Sequence, residues 1–196
     1  MFKHLALAAA LLASPAAMAA PILSGDGAET CNGGACVVVA PHPAWQAPGA
    51  GQWISYADTG YGGDTLALPG SMWTVTEAFS TAYQSLLRLT VWADDTARVL
   101  LNGVPLNVPN MTQGTCAVGP LGCEPGEQET FALQVAAGAH SLTFEVFQTG
   151  TGLDTISNPS ALMYEGEVNA IPLPASALLM LAALAGLATI RGLRTE

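Results

Sequence analysis

The chain has 196 residues and a formal net charge of −10 at neutral pH, because 15 acidic residues outnumber 5 basic ones. Hydrophobic residues make up 51% of the chain, but they are concentrated at its two ends and leave a polar, acidic middle. Nucleic acid and anionic lipid bind through basic surfaces, so this charge excludes both as partners of the middle part.

Residues 1–19 are typical of a secretory signal peptide. Lys3 gives a charged start, an apolar run follows, and Ala17-Met18-Ala19 is an A-x-A cleavage site before Ala20. We therefore predict an exported domain at residues 20–170, which is the size of one domain. This part contains two basic and fourteen acidic residues, so its own net charge is −12.

Four cysteines lie in the exported domain as two close pairs, Cys31 with Cys36 and Cys116 with Cys123. In an oxidising compartment an even number of cysteines is typical of disulfides, and the short separations favour this pairing over the two other connectivities. The alternative is a four-cysteine zinc site, which the spacing disfavours because neither pair is the usual C-x₂-C.

The first part of the domain is rich in glycine and proline. We predict an irregular segment at residues 21–36, closed by the first disulfide, and a short strand at 37–39. Prolines and glycines predict a loop at 41–51, and alternating residues predict a strand at 53–58. Another glycine-rich loop follows at 60–63.

Alternating apolar and polar residues predict the remaining strands, because successive side chains in a strand point to opposite faces. Asn102-Gly103 between two apolar runs predicts a hairpin with a type I′ turn. Three prolines and the second cysteine pair predict a long loop at 109–128. The predicted strands are 73–79, 86–93, the two arms of the hairpin within 98–108, 131–135, 142–146 and 161–168.

No segment between residues 21 and 170 has a helical period, and about seven to nine short strands predict an all-β fold, an antiparallel jelly-roll sandwich. Three segments, LTVWADDTARVLLNG, FALQVAAGAHSLTFEV and ALMYEGEV, begin at Leu89, Phe131 and Ala161. They resemble the galactose-binding-like sandwich of carbohydrate-binding modules. The resemblance implies this fold but no particular activity, because the shared residues are turn and core residues.

The sequence predicts that the protein is not an enzyme. Neither G-x-S-x-G nor H-E-x-x-H occurs, and neither His42 nor His140 has a nucleophile or metal partner at a recognisable spacing. Carboxylates are numerous enough for a glycosidase pair, but no motif orders them.

We predict no cofactor, and a structural calcium ion is the one candidate for an exception. Calcium takes six to eight oxygen ligands from carboxylates and loop carbonyls. Galactose-binding-like modules often hold such an ion between an early loop and the last strand, so the resemblance implies ligands in those two regions. The alternative is that these carboxylates are solvated surface charges. The candidate ligands are Asp58, Asp64, Glu165 and Glu167.

Carbohydrate binding needs exposed aromatic rings that stack on a sugar and a few polar groups that bind its hydroxyls. Trp45 and Tyr61 lie in predicted loops, where we expect exposed rings, whereas Trp92 lies in a strand and packing is its main alternative role. Asp94 and Asn102 complete the candidate binding residues.

The chain ends in a three-part tail at residues 171–196. Pro172, Leu173, Pro174 and Ala175 begin it, an apolar segment at 177–190 predicts a single transmembrane helix, and Arg191 and Arg194 follow as a basic stop. The tail resembles the VPLPA type of PEP-CTERM sorting signals, with Ile171 in place of valine. The resemblance implies processing by an exosortase-like membrane enzyme and delivery to the cell surface or a biofilm matrix.

Two functions therefore remain open. The first is a passive, non-enzymatic protein of the exopolysaccharide matrix, anchored in the membrane at least transiently. The second is a carbohydrate-binding module that binds surface polysaccharide. A permanent single-pass anchor is the alternative to a processed tail.

Overall fold

The computed structural model describes residues 19–171 and Met180. The predicted signal peptide up to residue 18, the sorting motif Pro172-Leu173-Pro174-Ala175 and the basic residues Arg191 and Arg194 lie outside the described residues. Within the described part of the chain, no helix is long and apolar enough to cross a membrane. The signal peptide and the transmembrane helix therefore stay predictions.

The described residues form antiparallel strands that are joined by loops and turns. The strands are β1 Ala20–Leu23, β2 Thr30–Cys31, β3 Gly34–Ala35, β4 Val37–Val38, β5 Ile54–Ser55, β6 Met72–Thr81, β7 Ser85–Asp94, β8 Thr96–Leu101, β9 Val104–Pro105, β10 Glu129–Val135, β11 Gly138–Phe147 and β12 Ala161–Ala170.

These strands make two antiparallel sheets. Sheet A has the order β10-β7-β12-β5-β4, with β1 also paired to β12, and sheet B has the order β3-β2-β6-β11-β8-β9. Apolar residues from both sheets form one buried core between them. Phe144 of β11 and Tyr164 of β12 stack across the core with their ring centroids 4.6 Å apart. The prediction of an all-β fold with two antiparallel sheets is confirmed.

The two ends of the sandwich differ. Asp94 at the end of β7 pairs with Ala161 at the start of β12, and Thr96 at the start of β8 pairs with Phe147 at the end of β11. These strand ends therefore lie at the same end of the sandwich. The long connections after β5, β9 and β11 also lie there, and we call it the loop end. The opposite turn end has short connections, among them Asn102 and Gly103 with φ angles of 52° and 78°. Two positive φ angles are typical of a type I′ turn, and the predicted hairpin is confirmed.

Two strand predictions were wrong. The segment predicted as irregular at residues 21–36 contains most of β1 and all of β2 and β3, and the strand predicted at 53–58 is only Ile54–Ser55. Asn32 and Gly33 have φ angles of 49° and 78° and form the turn between β2 and β3. The glycines that suggested an irregular segment therefore serve a hairpin turn.

Both predicted disulfides are confirmed. Cys31 bonds to Cys36 next to the β2–β3 hairpin, and Cys116 bonds to Cys123 in the long loop before β10. Two disulfides without a free cysteine in the described residues are typical of a protein in an oxidising compartment.

A second apolar cluster covers the outer face of sheet A at the loop end. The cluster contains Trp45, Trp53, Trp92, Met163 and Cys123, together with the smaller residues Val39 and Ala161. The rings of Trp45 and Trp53 lie 4.4 Å apart. The Trp92 side chain of β7 lies on this outer face. The loops at 39–53 and 106–128 cover the face and bury the ring.

A carboxyl group lies inside the main core. Glu77 of β6 is only 4% exposed and accepts a hydrogen bond from the Tyr164 hydroxyl of β12. This hydrogen bond joins sheet B to sheet A. Burial raises the pKa of Glu77 from its ordinary value of 4.5 to about 7, while the Tyr164 hydrogen bond lowers it and the charges of Asp26 and Glu29 raise it further.

Candidate functional site

A cavity of about 170 Å³ lies at the loop end, and we call it the acidic pocket. Four stretches of chain and one further side chain line it. They are residues 42 and 44–45, Asp94 and Asp95, 114–117, Glu124, and 156–159. The pocket is therefore built by loops around the link between β7 and β8, where the chain crosses from sheet A to sheet B.

Asp94 is the last residue of β7 and is only 5% exposed. Its Oδ2 atom accepts a hydrogen bond of 2.9 Å from the indole Nε1 of Trp45. Burial raises the pKa of Asp94 well above its usual range, the nearby Asp95 carboxyl raises it further, and the Trp45 hydrogen bond lowers it. Asp94 therefore keeps its proton at pH values where an exposed aspartate has lost it.

Asp95 holds the surrounding loops and is only 2% exposed. Its Oδ2 atom accepts hydrogen bonds from the Thr149 amide at 2.7 Å, the Thr149 hydroxyl at 3.0 Å and the Gly150 amide at 2.6 Å. Its backbone carbonyl accepts a bond of 2.6 Å from Nε2 of Gln113. One carboxylate therefore fixes the start of the loop after β11, and its main chain fixes the loop before β10.

The Asp94 and Asp95 carboxyls form a side-chain hydrogen bond with each other, for which Asp94 supplies the proton that it keeps. From the other described residues, these two carboxyls accept hydrogen bonds on their Oδ2 atoms. Both residues line the acidic pocket. The paired carboxyls are therefore polar groups that the pocket offers to a ligand.

The acidic pocket has no arginine or lysine in its walls. Arg98 forms an ion pair of 2.9 Å with Glu145 on sheet B. Arg88 lines a separate open groove on sheet A, beside Glu165 and Glu167. Because these are the two basic residues between residues 19 and 171, the pocket carries negative charge without a cationic partner from the described chain.

The structure brings together only some of the predicted sugar-binding residues. Trp45 and Asp94 both line the pocket, but the prediction that the Trp45 ring is exposed was wrong, since it is 5% exposed. It lies buried because its indole N–H reaches Asp94 and its ring packs on Trp53. Trp92 is buried in the same apolar cluster, as its alternative role predicts.

The other two predicted binding residues do not line the pocket. Tyr61 is half-buried and packs edge-on against His42, with the ring centroids 4.9 Å apart. Asn102 lies at the opposite end of β8, about 20 Å away at about 3.4 Å per residue. Its Oδ1 atom accepts a bond of 3.0 Å from the Ser141 amide, so it holds the turn.

The four predicted calcium ligands lie in two places. Asp58 and Asp64 are exposed on the loop after β5, whereas Glu165 and Glu167 lie on the outer face of β12. Glu165 accepts a bond of 3.0 Å from the Gly51 amide. Among the described residues, the one cluster of metal-ligating side chains joins Asp94 to Cys116 and Cys123, whose sulfurs form a disulfide. Calcium binding at these four residues stays a hypothesis.

Sequence reasoning missed Asp95, His42 and the residues at 114–117 and 156–159 as parts of the site. The adjacent carboxyls of Asp94 and Asp95 are the one signal that pointed to it, because two acids directly after an apolar strand are costly to bury. The pocket walls come from loops that are distant in sequence, and spacing does not show that they meet.

The two carboxyls of the pocket lie closer together than the pair that a glycosidase uses. The Asp94 and Asp95 carboxyls contact each other, whereas the two carboxyls of a glycosidase are about 5–9.5 Å apart on either side of the scissile bond. The pocket combines two adjacent carboxyls with the rings of His42 and Trp45.

No protein-family model matches the chain, and no curated protein matches it. Among solved structures, it is similar to a family 35 carbohydrate-binding module from Clostridium thermocellum, with 7% identity, a TM-score of 0.41, and coverage of 78% of this chain and 99% of that one. A CBM35 from Paenibacillus barcinonensis has 14% identity, a TM-score of 0.39, and coverage of 78% and 99%. The GH26-CBM35 mannanase of Podospora anserina has 14% identity, a TM-score of 0.40, and coverage of 80% and 28%. These similarities are too distant to assign the chain to a family.

Proposed function

We propose that the β-sandwich is an exported, non-catalytic carbohydrate-binding module of the galactose-binding-like type, and that the acidic pocket binds the sugar. The observation that carries this proposal is the pair of aspartates, Asp94 and Asp95, in the wall of a cavity of about 170 Å³ beside the ring of His42. Sugar hydroxyls donate hydrogen bonds, and an ionised carboxylate accepts them more strongly than a neutral oxygen does.

The rest of the pocket fits the same ligand. The His42 ring supplies an apolar face beside the carboxyls, as a sugar ring requires, and Asn158 and Ser157 supply further polar groups. A volume of about 170 Å³ suits one sugar unit or a chain end, not a long polysaccharide segment. Contact between the two carboxyls leaves no room for a glycosidic bond between them, so the proposed role is binding.

Replacing His42 with alanine or Asp94 with asparagine is expected to weaken carbohydrate binding roughly tenfold, the equivalent of about 1.4 kcal/mol. Asparagine keeps an acceptor for the Trp45 N–H, so the fold is retained. A glycan array followed by polysaccharide pull-down of the full chain measures the loss.

Asp26→Asn is the matched control, because it removes the same charge from an exposed loop position outside the acidic pocket. It should bind as the wild type does. Absence of binding to every glycan, or equal binding by all three variants and the wild type, would contradict carbohydrate binding at this pocket.

The tail supports a second proposal, which concerns delivery. Its Pro172-Leu173-Pro174-Ala175 motif, apolar segment and closing Arg191 and Arg194 resemble a PEP-CTERM sorting signal. An exosortase-like enzyme would cleave near the prolines and release the carbohydrate-binding module to the cell surface or exopolysaccharide matrix. The predicted signal peptide before Ala20 would first export it.

Replacing Pro172, Leu173 and Pro174 with alanine is expected to block this processing in a bacterium that contains the sorting enzyme. The wild type should reach the surface or matrix fraction with a reduced mass, while the variant should stay in the membrane at its larger mass. Fractionation and immunoblotting check both. If wild type and variant stay equally in the membrane without a change in mass, the tail is a permanent anchor.

A further inference from the structure

We propose that the edge strand β10 pairs antiparallel with β10 of a second copy of the chain and joins the two A sheets into one continuous sheet. The pairing is centred on Ala132 and relates the two copies by a two-fold axis. This dimer does not depend on a bound sugar, so it is tested separately from the proposed carbohydrate binding.

The outer side of β10 has unpaired main-chain groups. β10 lies at the end of sheet A and pairs with β7 alone. In an edge strand, alternate residues direct their amide and carbonyl groups away from the sheet. Among the described residues, no turn, loop or other strand forms a main-chain hydrogen bond with these groups of β10. A row of such groups at strand spacing is satisfied by a further strand.

The other edges of the two sheets are protected against such pairing. The edge strands β3, β4 and β9 have two residues each, and β1 and β9 contain proline. Short edges, prolines and lysines are devices by which proteins prevent two sheets from pairing. β10 has seven residues, ETFALQV, without proline, lysine or glycine. It is therefore the one long, unprotected edge in the described part of the chain.

The sequence of β10 complements itself. In an antiparallel pair centred on Ala132, Thr130 lies opposite Gln134 of the second copy, and Phe131 lies opposite Leu133 of the second copy. This register pairs all seven residues and places the residues that face the core beside each other. A shift by one residue would place residues of the outer face opposite residues that face the core.

Charge also favours a second copy at this edge. Residues 20–170 have two basic and fourteen acidic residues, a net charge of −12, so two copies repel each other over most of their surface. The outward side chains of β10 are uncharged, and Arg88 of β7 lies beside Ala132. Glu129, the one carboxylate of β10, lies opposite Val135 of the second copy. The pairing therefore places no like charges opposite each other.

The symmetry of the dimer decides where its two acidic pockets lie. β10 begins at Glu129 beside Val91, towards the loop end, and ends at Val135 beside Ser85, towards the turn end. A two-fold axis through Ala132 reverses this direction, so the loop ends of the two copies point in opposite directions. If the acidic pocket binds a sugar as proposed, the dimer joins two polymer chains and does not bind one chain twice.

The test is analytical ultracentrifugation of the full chain over a range of concentrations in a polyoxyethylene detergent. We expect a dimer whose fraction rises with concentration. Ala132→Lys places two ammonium groups opposite each other across the two-fold axis and should weaken the dimer at least about fivefold. Ala139→Lys is the matched control, because it makes the same change at an exposed position of β11 in sheet B. It should dimerise as the wild type does.

Cross-linking tests the register. Directly opposite residues of an antiparallel pair have Cα atoms about 4.5–5.5 Å apart, which a disulfide spans. Ala132→Cys should therefore form a disulfide-linked dimer on mild oxidation. Gln134→Cys should not, because its equivalent in the second copy lies about 14 Å away, four residues along the strand. Non-reducing electrophoresis measures both, and circular dichroism melting establishes that each variant is folded.

A protein that stays monomeric at every concentration would overturn the proposal. A dimer that Ala132→Lys leaves unchanged would do the same, because its contact would then lie elsewhere. Cross-linking that is equal for Ala132→Cys and Gln134→Cys, or absent from both, would also overturn it, since β10 would not face β10 of a second copy. Each of these results leaves carbohydrate binding at the acidic pocket intact.

Discussion

Asp95→Ala is expected to lower the free energy of unfolding by roughly 3–5 kcal/mol. The Asp95 carboxylate accepts three hydrogen bonds, two from Thr149 and one from the Gly150 amide. Asp95 and Gly150 are both buried, so water does not replace the lost acceptor without opening the loop. Each orphaned buried donor costs about 1–3 kcal/mol. Urea unfolding of the full chain, followed by tryptophan fluorescence, measures the change.

Asp95→Asn is the matched variant for this prediction. Its amide oxygen keeps an acceptor of the same size but loses the charge, and charged hydrogen bonds are roughly twice as strong as neutral ones. We expect Asp95→Asn to lower the free energy of unfolding by about half as much as Asp95→Ala does. An alanine variant within 1 kcal/mol of the wild type would show that the loop after β11 does not depend on this carboxylate. Because Asp95 also lines the pocket, the alanine variant should bind no sugar.

The second large effect concerns pH and the buried Glu77. The folded protein holds the Glu77 proton up to a pKa of about 7, whereas an unfolded glutamate releases it near 4.5. The folded state therefore binds more protons between these values, and the free energy of unfolding falls as pH rises through this window. One pKa unit corresponds to about 1.4 kcal/mol. After allowance for solvent screening, we expect the ionisation of Glu77 to lower the free energy of unfolding by roughly 2 kcal/mol across this window.

Glu77→Gln is expected to remove this contribution to the slope of stability against pH. Glutamine keeps an acceptor for the Tyr164 hydroxyl and never bears the buried charge, so the variant should be more stable than the wild type above pH 7. The measurement is urea unfolding at several pH values between 4.5 and 8. Tyr164→Phe is the complementary variant, because it removes the hydroxyl and should destabilise the protein most at high pH. A slope that Glu77→Gln leaves unchanged would contradict the prediction.

The sandwich was predictable because its strands follow simple alternation. Leu87, Leu89 and Val91 of β7 face the core as their spacing indicates, and the Asn102-Gly103 turn needs two residues that tolerate positive φ. The short strands β1 to β3 were not predictable in the same way. They consist of two to four residues each, which is too few to show a period, and pairing with β12 and β6 holds them.

The site was predictable only where one residue combined two signals. Asp94 ends an apolar strand and bears a charge, and it lines the pocket. Trp45 was expected to be exposed because it lies among prolines, but a loop position does not determine burial. The ring is buried because its N–H finds an acceptor in Asp94, forty-nine residues away. Such contacts depend on how the loops meet, and local sequence patterns do not contain that information.

Glu77 was also missed, for a related reason. Its position on the inward face of β6 follows from alternation with Trp73 and Val75, but an inward glutamate in a strand is normally taken as an interruption of the pattern. Only the opposite sheet shows why it is tolerated, since Tyr164 places a hydroxyl beside it.

The direction of β12 has a mechanical consequence. This ten-residue strand begins at Ala161 beside the acidic pocket and ends at Ala170 at the turn end, roughly 30 Å away. A ligand bound in the pocket and any attachment after Ala170 would therefore pull on opposite ends of the sandwich. Such tension runs along the strand axis and loads the hydrogen bonds between β12 and β7 together in shear, since those bonds lie perpendicular to the strands. Bonds loaded together resist more force than bonds that open one after another, so the sandwich should resist a pull applied between the acidic pocket and Ala170.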